Sequence, residues 1–419
     1  MPQLKIANKK FCRPEVFRDP IYGYVYLQYQ IIEKLIDTSA FQRLRRIKQL
    51  SGANIVFHNA EHSRFTHSLG VYELARRFLN INNLQQHFSE NEQLLLLISA
   101  LLHDIGHSFY SHSFEALFDC KHEKQGALII QHDPEISALL EEINPNFKND
   151  VASIVAKKNK FPLIEQILSG QIDIDRLDYL ERDAYFTGAI YGHIDLERLM
   201  RSMIIETNPQ TQQKCIAFRQ SGVFAVENYL INRYHMFWQV YYHPKVRAYM
   251  TILEKICQRL KLLLKTNYSF DSYIDIFKNL LDDPKNYANY LALDDTYINA
   301  LILHLQNSSD LILKNLCRDF INRSIWNVLD NNEDNQAKIN DIKNQYANLN
   351  LEYVSYYTSL NTVDKIAYSE NNENFADNIL IKTQNQLKSL KEESLIIKSL
   401  IESGSKKDHK FFYRALPHN

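Results

Sequence analysis

The chain has 419 residues, a hydrophobic content of 45% and a formal net charge of -1 at pH 7. This length suffices for one large domain and a smaller one, and the balanced charge excludes a global electrostatic attraction to nucleic acid or anionic membranes. Five widely spaced cysteines without a CxxC pair favour reduced thiols in a cytoplasmic protein. The longest apolar run is about half of the ~20 residues that a membrane span requires, so we expect no membrane association.

Scarce glycine and proline, with abundant leucine, isoleucine and lysine, predict a mainly α-helical protein. Residues 22–27 have the aromatic and β-branched pattern of a strand, and helical periodicity dominates from residue 29 to about residue 127. Ser89 and Glu92 are spaced as a capping box, which predicts the start of a buried helix. A β-hairpin is predicted around residues 204–218.

The pattern of apolar residues changes after a polar stretch at residues 330–335. We predict strands at residues 353–357 and 378–382, a helix at residues 387–401 and a last strand at residues 410–414. The chain is therefore predicted to have a helical core at residues 1–339 and a small α+β lobe at residues 340–419.

The dipeptide His103-Asp104 closes the nearly unbroken apolar run of residues 94–102. Burying a histidine beside an ionised carboxylate is costly unless a metal or a charge partner compensates. With His67 upstream and Asp175 downstream, the order His, His-Asp, Asp forms a mixed nitrogen and oxygen ligand set that suits Mn, Fe, Zn or Mg. The alternative is a group of buried polar residues satisfied by their neighbours.

At these residues the chain resembles the HD-domain phosphohydrolase superfamily, and in particular the branch of the animal deoxynucleoside triphosphate triphosphohydrolase and its bacterial relatives. The matching motifs are residues 19–23, 38–50, 64–70, 103–107 and 175–183. The resemblance implies an HD-domain helical core, with ligand motifs within residues 49–183 and a nucleotide-pocket helix near residues 225–250. It also implies a divalent cation (Mg, Mn, Fe, Zn or Ni) held by His67, His103, Asp104 and Asp175.

The resemblance implies catalytic roles for a second group of residues. His107 and His112 would contact the substrate phosphates, His122 would protonate the leaving oxygen, and Glu123 would orient His122. Histidine suits proton transfer because its ordinary pKa lies near neutral pH. The alternative is that these are surface or loop histidines.

By the same resemblance, Arg64, Arg176 and Arg233 line the phosphate chain. Guanidinium groups suit this task because they bind phosphate oxygens through paired hydrogen bonds. Arg176 stands where the animal enzyme usually has a lysine. The alternative for Arg176 is an exposed helix charge.

The resemblance also implies a sugar and base pocket. Asp183 would bind the 3′-hydroxyl, Tyr179 would leave little room for a 2′-hydroxyl, and Tyr241 would stack on the base. Tyr242 replaces an expected glutamine and Pro244 is inserted, which puts the base preference in doubt. The residues implied for this pocket are Gln49, Leu50, Tyr179, Asp183 and Tyr241.

Asp37, Gln42 and Arg45 match positions at which the animal enzyme reads guanine in a regulatory site. Glu15 stands where a phosphate-binding lysine is expected, and a carboxylate repels triphosphate. A nucleotide activator is therefore not favoured, and the alternative is that Asp37 caps a helix and Arg45 forms a surface pair.

We carry three hypotheses. The first is a metal-dependent dNTP triphosphohydrolase that releases deoxynucleoside and inorganic triphosphate. The second is an HD phosphohydrolase acting on nucleoside monophosphates or cyclic nucleotides. The third is a non-catalytic nucleotide sensor or single-stranded nucleic-acid binder that uses the basic and aromatic patch at residues 406–414, and it is not favoured. By analogy we expect a homo-oligomer, either a dimer or a tetramer.

Overall fold

A computed structural model describes residues 10–111, 118, 120–283, 286–365, 368–370, 378–384 and 386–416. The chain begins with an antiparallel hairpin of β1 (Lys10–Asp19) and β2 (Gly23–Tyr29). Gly23 turns the chain between the two strands with a φ of 76°, a value that favours glycine. The strand predicted at residues 22–27 is therefore confirmed as β2.

The helices that follow the hairpin build the core. Helix α4 begins at the predicted capping box, in which Ser89 and Glu92 exchange hydrogen bonds, and residues 94–102 of this helix are all buried. The helices are α1 (Gln30–Asp37), α2 (Ser39–Gln42), α3 (Arg64–Asn80), α4 (Glu90–Leu102), α5 (His122–His132), α6 (Pro134–Ile143), α7 (Phe147–Val155), α8 (Pro162–Ser169) and α9 (Ile174–Thr187).

The predicted hairpin around residues 204–218 is confirmed, and further helices follow it. It is formed by β3 (Met203–Thr207) and β4 (Lys214–Arg219), and α10 (Leu196–Ser202) precedes it. The elements that follow the hairpin are α11 (Val223–Met236), a π-helical segment (Phe237–Tyr241), α12 (Pro244–Lys265), α13 (Asp275–Asp282), α14 (Tyr287–Leu291), α15 (Asp295–Leu305) and α16 (Leu311–Ile321).

The C-terminal part of the chain contributes to two sheets. Strand β9 lies between β5 and β6 in one antiparallel sheet, and β7 extends the β3–β4 hairpin as a parallel neighbour of β4. The elements are β5 (Asn327–Asp330), α17 (Gln336–Leu349), α18 (Leu351–Tyr357), β6 (Thr358–Lys365), β7 (Leu380–Lys382), β8 (Leu387–Ser389), α19 (Leu390–Glu393), α20 (Leu395–Glu402) and β9 (Lys406–Tyr413).

The mainly α prediction with a small α+β lobe is confirmed, but two predicted elements are wrong. The strand predicted at residues 353–357 is helix α18, because the Asn350 side chain caps its first turn and Tyr353 packs on Tyr357 one turn later, with ring centroids 4.8 Å apart. The helix predicted at residues 387–401 is divided, since Ser389 and Ser394 each begin a new short helix. The domain boundary at residue 340 stays a prediction, although β5 already pairs with β9.

The patch at residues 406–414 contains β9, and three of its four lysine and arginine side chains lie near carboxylates. Lys407 lies 3.8 Å from Asp364, and Arg414 lies 2.6 Å from Asp319. Lys410 lies 3.1 Å from the carboxylate of Asp408. Because carboxylates offset three of these four charges, the patch offers little to a nucleic-acid backbone.

Candidate metal and nucleotide site

Three core helices bring the predicted metal ligands together. His67 lies in the first turn of α3, His103 follows the last residue of α4, and Asp175 lies in the first turn of α9. Asp173 caps α9 by accepting the backbone N–H of Arg176 over 2.7 Å, which fixes the start of the helix beside the other ligands.

The donor atoms of these side chains converge on a small volume. Nε2 of His67 lies 3.1 Å from Oδ1 of Asp175 and 3.2 Å from Nε2 of His103. Asp104 contributes Oδ1 at 3.3 Å from Nε2 of His103 and Oδ2 at 3.7 Å from Nε2 of His67. Ligands at about 2.1 Å from a common metal ion are roughly 3 Å apart, so this spacing fits a single metal ion.

The second nitrogen of each imidazole ring is held by the protein. Nδ1 of His67 donates to the carboxylate of Asp178 over 2.8 Å, and Nδ1 of His103 donates to the carbonyl of Ala100 over 2.9 Å. Both rings therefore present an unprotonated Nε2 to the centre of the cluster when a metal is bound.

The electrostatics of the cluster favour a cation. Burial opposes protonation of His67, but hydrogen bonds with Asp175 and Asp178 outweigh it and raise the pKa of His67 to about 10. Burial would raise the pKa of Asp175, but His103 and His67 hold it far below its usual range. These pKa shifts show that the buried cluster stabilises positive charge. A divalent metal bound to the deprotonated ligands would supply that charge.

Asp178 links the cluster to the rest of the core. Arg182 donates two hydrogen bonds of 2.9 Å to Asp178 and one of 2.9 Å to Asp19 at the end of β1. Burial alone would raise the pKa of Asp178, but Arg182 and His67 lower it to about 2. A Cβ atom at Gly70 would lie only 1.8 Å from Oδ1 of Asp178, so this position requires glycine.

Arg64 and His107 contact the opposite side of the cluster. Arg64 donates to Oδ2 of Asp104 and, over 2.8 Å, to Ser111. Nε2 of His107 lies 3.2 Å from Oδ1 of Asp104. Asp104, His107 and His122 also form a second group whose ligand atoms lie within 4.8 Å of one another. This neighbouring position can take a second cation or a substrate phosphate.

The predicted proton-transfer pair lies beside this second group. The rings of His107 and His122 stack with centroids 3.9 Å apart, and Nδ1 of His122 lies 3.6 Å from Oε2 of Glu123. Burial would raise the pKa of Glu123, but His122 and Lys157 lower it, so the carboxylate is ionised and can orient the imidazole. His112 lies outside the described residues.

Arg176 and Arg233 meet at one backbone carbonyl. Both donate to the oxygen of Gln171, over 3.4 Å and 3.3 Å, and the hydroxyl of Tyr229 donates to the same oxygen over 3.3 Å. Burial raises the pKa of the neighbouring Asp173 to about 7, despite the two arginines. Oδ2 of Asp173 lies 3.4 Å from Nε of Arg176, so this carboxylate partly offsets the charge of Arg176.

The predicted sugar pocket is assembled around Asp183. Its Oδ2 accepts from the hydroxyl of Tyr241 over 2.8 Å, and its Oδ1 lies 2.7 Å from Nε2 of the buried His62. The ring of Tyr179 lies 6.1 Å from that of Tyr241 and 6.5 Å from that of His67. These aromatic rings thus connect the metal ligands to Asp183.

The other predicted pocket residues lie on the segment that precedes α3. The backbone N–H of Gln49 donates to the carbonyl of His62 over 3.0 Å, which holds Gln49 next to the partner of Asp183. The side-chain oxygen of Gln49 is buried without a hydrogen-bond partner. Leu50 follows and packs against the hydrophobic core.

The predicted regulatory residues Asp37, Gln42 and Arg45 lie at the end of α1, at the end of α2 and in the short helical turn after α2. Arg45 donates to the side chain of Gln42 over 2.8 Å and stacks 3.5 Å above the ring of Phe65. Asp37 ends α1 and does not cap a helix, since the neighbouring Thr38 caps α2. The structure thus gives Arg45 an amide partner in place of the surface ion pair.

A cavity of about 860 Å³ opens beside Arg176, between α8 and the C-terminal lobe. It is lined by Gln171 and Arg176 from the core and by Glu370 and Asn378 from the lobe, but by none of the four metal ligands.

Two site residues were missed from the sequence. Asp178 was part of the aspartate cluster after residue 173 but received no role, although a metal-binding histidine needs an acceptor for its second nitrogen. The position of Gly70, one turn after His67, was the available signal for a close contact. His62 was also missed, and nothing in its spacing points to Asp183.

Comparisons with known proteins agree with this geometry. The family model described as HD domain matches residues 64–183. The protein YwfO of Bacillus subtilis, which is uncharacterised, is 38% identical over 415 residues, covering 97% of this chain and 93% of the relative. The Dictyostelium discoideum protein named deoxynucleoside triphosphate triphosphohydrolase SAMHD1 homolog is 26% identical over 339 residues, covering 75% of this chain and 60% of the relative.

A crystal structure of a phosphohydrolase from Bacteroides thetaiotaomicron superposes with a TM-score of 0.81 at 26% identity, covering 96% of this chain and all of that chain. The chain therefore belongs to the HD-domain phosphohydrolase superfamily, and the family and its structural neighbours support a hydrolase. Within the part of the chain that the structure describes, no helix combines the length and hydrophobicity needed to cross a bilayer.

Proposed function

We propose that the protein is a metal-dependent dNTP triphosphohydrolase. The observation that carries the proposal is the arrangement of three groups of side chains in the helical core. The metal ligands lie beside the pair of Arg176 and Arg233, and the ring of Tyr179 connects them to Asp183. Such a sequence of cation, phosphate-binding and hydroxyl-binding groups suits a deoxynucleoside with a long phosphate chain.

A bound divalent cation would polarise a phosphoryl oxygen and lower the pKa of a bound water molecule. His67, His103, Asp104 and Asp175 would hold it. In the reaction, a water oxygen adds to the α-phosphorus, the bond from phosphorus to the 5′-oxygen breaks, and triphosphate leaves the deoxynucleoside.

The side chains of the protein supply binding and proton transfer. Arg176 and Arg233 bind the phosphate oxygens, and Asp183 accepts from the 3′-hydroxyl while Tyr241 and His62 hold its carboxylate in place. His122 donates a proton to the departing 5′-oxygen, and Glu123 orients His122. The aromatic wall at Tyr179 disfavours a 2′-hydroxyl.

The proposal includes nucleotides as binding partners, assembly as a homo-oligomer and a location in the cytoplasm. Relatives named deoxynucleoside triphosphate triphosphohydrolase support a nucleotide substrate, among them the zebrafish protein, which is 32% identical over 224 residues that cover 45% of this chain and 36% of the relative. Glu15 lies on the exposed hairpin, paired with Leu27, and does not favour an activating triphosphate.

Product analysis tests the proposal. The purified protein is incubated with each dNTP and with GTP, in Mg and in Mn, beside a His103→Ala control. We expect deoxynucleoside and inorganic triphosphate, both lost in the control. Release of orthophosphate or pyrophosphate, or turnover of nucleoside monophosphates or cyclic nucleotides, would overturn the proposal in favour of another phosphohydrolase activity.

A further inference from the structure

A lysine occupies the position after helix α7 at which the backbone favours glycine. Lys157 has a φ of 55°, in the left-handed region. Its backbone N–H donates to the carbonyl of Ile154 over 2.9 Å, and the N–H of Lys158 donates to the carbonyl of Ser153 over 3.0 Å. These paired bonds form a Schellman motif, in which glycine usually occupies the position of Lys157. The fold therefore carries backbone strain at a residue with a long, charged side chain.

The side chain of Lys157 reaches the predicted proton-transfer pair on α5. Its Nζ donates a hydrogen bond to Oε1 of Glu123 over 3.1 Å. The other carboxylate oxygen of Glu123, Oε2, lies 3.6 Å from Nδ1 of His122. The carboxylate therefore lies between the ammonium group and the imidazole ring, with one oxygen next to each.

The start of α5, which carries this pair, is closely packed. Helix α5 contacts α7, and a Cβ atom at Gly126 would lie 3.1 Å from Cγ1 of Val155 on α7. A Cβ atom at Gly106, in the segment that follows α4, would lie 2.1 Å from the backbone oxygen of His122. Because the backbone has little room to move here, the orientation of the Glu123 carboxylate depends on its polar neighbours.

Stability alone does not account for a lysine at residue 157. The side chains of Lys157 and Glu123 are 52% and 26% exposed, and ion pairs with this exposure contribute little to folding. A glycine at residue 157 would adopt the left-handed conformation without strain and would keep both backbone hydrogen bonds of the helix end. Strain of this kind is concentrated at functional sites, which points to a role for the side chain.

We propose that Lys157 is a positioning residue for proton transfer, which holds Oε1 of Glu123 so that Oε2 keeps the imidazole of His122 oriented. In this role Lys157 acts through Glu123 and not on the substrate itself. The inference rests on the proposed function for the roles of His122 and Glu123, and it extends the proton-transfer group from α5 to the end of α7.

Variants at residue 157 separate the charge of the lysine from the strain of its backbone. Lys157→Gly removes both, Lys157→Met removes the charge and keeps an unbranched side chain, and Lys157→Arg keeps the charge. Asn159→Gly is the matched control, since Asn159 lies in the same loop with a φ of 57°. Circular dichroism and thermal unfolding check folding. Both glycine variants should melt at or above the melting temperature of the parent.

Two substrates show whether a variant impairs proton transfer. A dNTP releases a sugar alkoxide, which needs a proton, whereas bis(p-nitrophenyl) phosphate releases p-nitrophenolate, which is stable without one. We expect Lys157→Gly and Lys157→Met to lower kcat for the dNTP by about 10-fold, a fraction of what a proton donor contributes, with little change in KM. Neither variant should lower kcat for bis(p-nitrophenyl) phosphate. Lys157→Arg should retain most of the dNTP activity, and Asn159→Gly should retain all of it.

A double-mutant cycle tests whether Lys157 acts through Glu123. In the background of Glu123→Gln, Lys157→Met should lower kcat for the dNTP no further, because the carboxylate that the lysine positions is already absent. Additive losses would overturn the role of Lys157, and so would equal losses with the two substrates. The cycle alone decides if the parent does not cleave bis(p-nitrophenyl) phosphate.

The outcomes separate this inference from the proposed function. A dNTP kcat of Lys157→Gly equal to that of Asn159→Gly overturns the role of Lys157 and leaves the proposed function intact. If the parent cleaves nucleoside monophosphates or cyclic nucleotides instead of dNTPs, the proposed function is overturned. The same variants are then compared on that substrate, whose leaving group is also a sugar alkoxide. A parent that breaks no bond between phosphorus and a sugar oxygen overturns both.

Discussion

Nδ1 of His67 donates a hydrogen bond to the carboxylate of Asp178 over 2.8 Å. Asp178 is not one of the four proposed metal ligands. Its hydrogen bond fixes the ring orientation and the tautomer of His67, which is one of them. Since Arg182 donates to the same carboxylate, the orientation of His67 depends on a buried ionic pair. Outer partners of this kind commonly contribute 10- to 100-fold, roughly, to metal affinity.

We therefore expect Asp178→Asn to lower the affinity for Mn²⁺ by about 10- to 100-fold, because the amide no longer anchors the imidazole as a carboxylate does. Calorimetric titration of the metal-free protein measures this affinity. Asp341→Asn is the control, since Asp341 is exposed on α17 and its side chain accepts a hydrogen bond from Gln345 on the same helix. Equal Mn²⁺ affinity of the two variants would rule out the positioning role of Asp178.

His122→Ala should lower kcat by about 100- to 10,000-fold, because the departing 5′-oxygen loses its proton donor. Metal affinity should change little, since His122 is not among the four proposed ligands. Rapid-quench kinetics with a bound dNTP measure the chemical step. Glu123→Gln should show a smaller loss of kcat, and a loss larger than that of His122→Ala would contradict the assigned roles.

Tyr241→Phe removes the hydroxyl that donates to Asp183 over 2.8 Å. An unmatched buried carboxylate oxygen costs roughly 1–3 kcal/mol, so we expect both a lower melting temperature and a raised KM for dNTPs. Steady-state kinetics and thermal unfolding check this. Tyr185→Phe, at an exposed position on α9, the helix that carries Asp183, should change neither quantity.

The buried Asp295 predicts a pH dependence of stability. Burial raises its pKa to about 6, although its carboxylate accepts backbone N–H groups of Lys48 and Tyr110. Because the folded state binds the proton more tightly than the unfolded state, this residue destabilises the fold above pH 6, and the penalty is relieved as the pH falls.

Relative to Asp295→Asn, the wild-type protein should gain about 1.4 kcal/mol of unfolding free energy between pH 7 and pH 5. Urea denaturation of both proteins at the two pH values measures the gain. A difference between the two proteins that stays constant with pH would show that Asp295 does not titrate in this range.

Structural features that depend on residues close together in the sequence were predicted correctly. The capping box at Ser89 and Glu92 marked the start of α4, and the apolar run after it marked a buried helix. The ligands His67, His103 and Asp175 were predicted by their flanking motifs, which identify a family even though the residues lie far apart in the chain.

The features that the sequence did not predict depend on contacts with other parts of the chain. The tyrosine-rich residues 353–357 suit a strand or a helix, and the cap at Asn350 selects the helix. His62 lies far from Asp183 in the chain, and its contact with that carboxylate depends on the packing of the segment before α3 against α9. No periodicity or motif in the sequence contains that information.

The buried series Asp19, Arg182, Asp178 and His67 connects the first hairpin to the metal cluster through direct hydrogen bonds. If packing of the hairpin against the core raises the metal affinity by some factor, metal binding stabilises the packed hairpin by the same factor, because the two equilibria are thermodynamically linked. A partner that pulled β1 away from the core would therefore release the metal without touching any of its ligands.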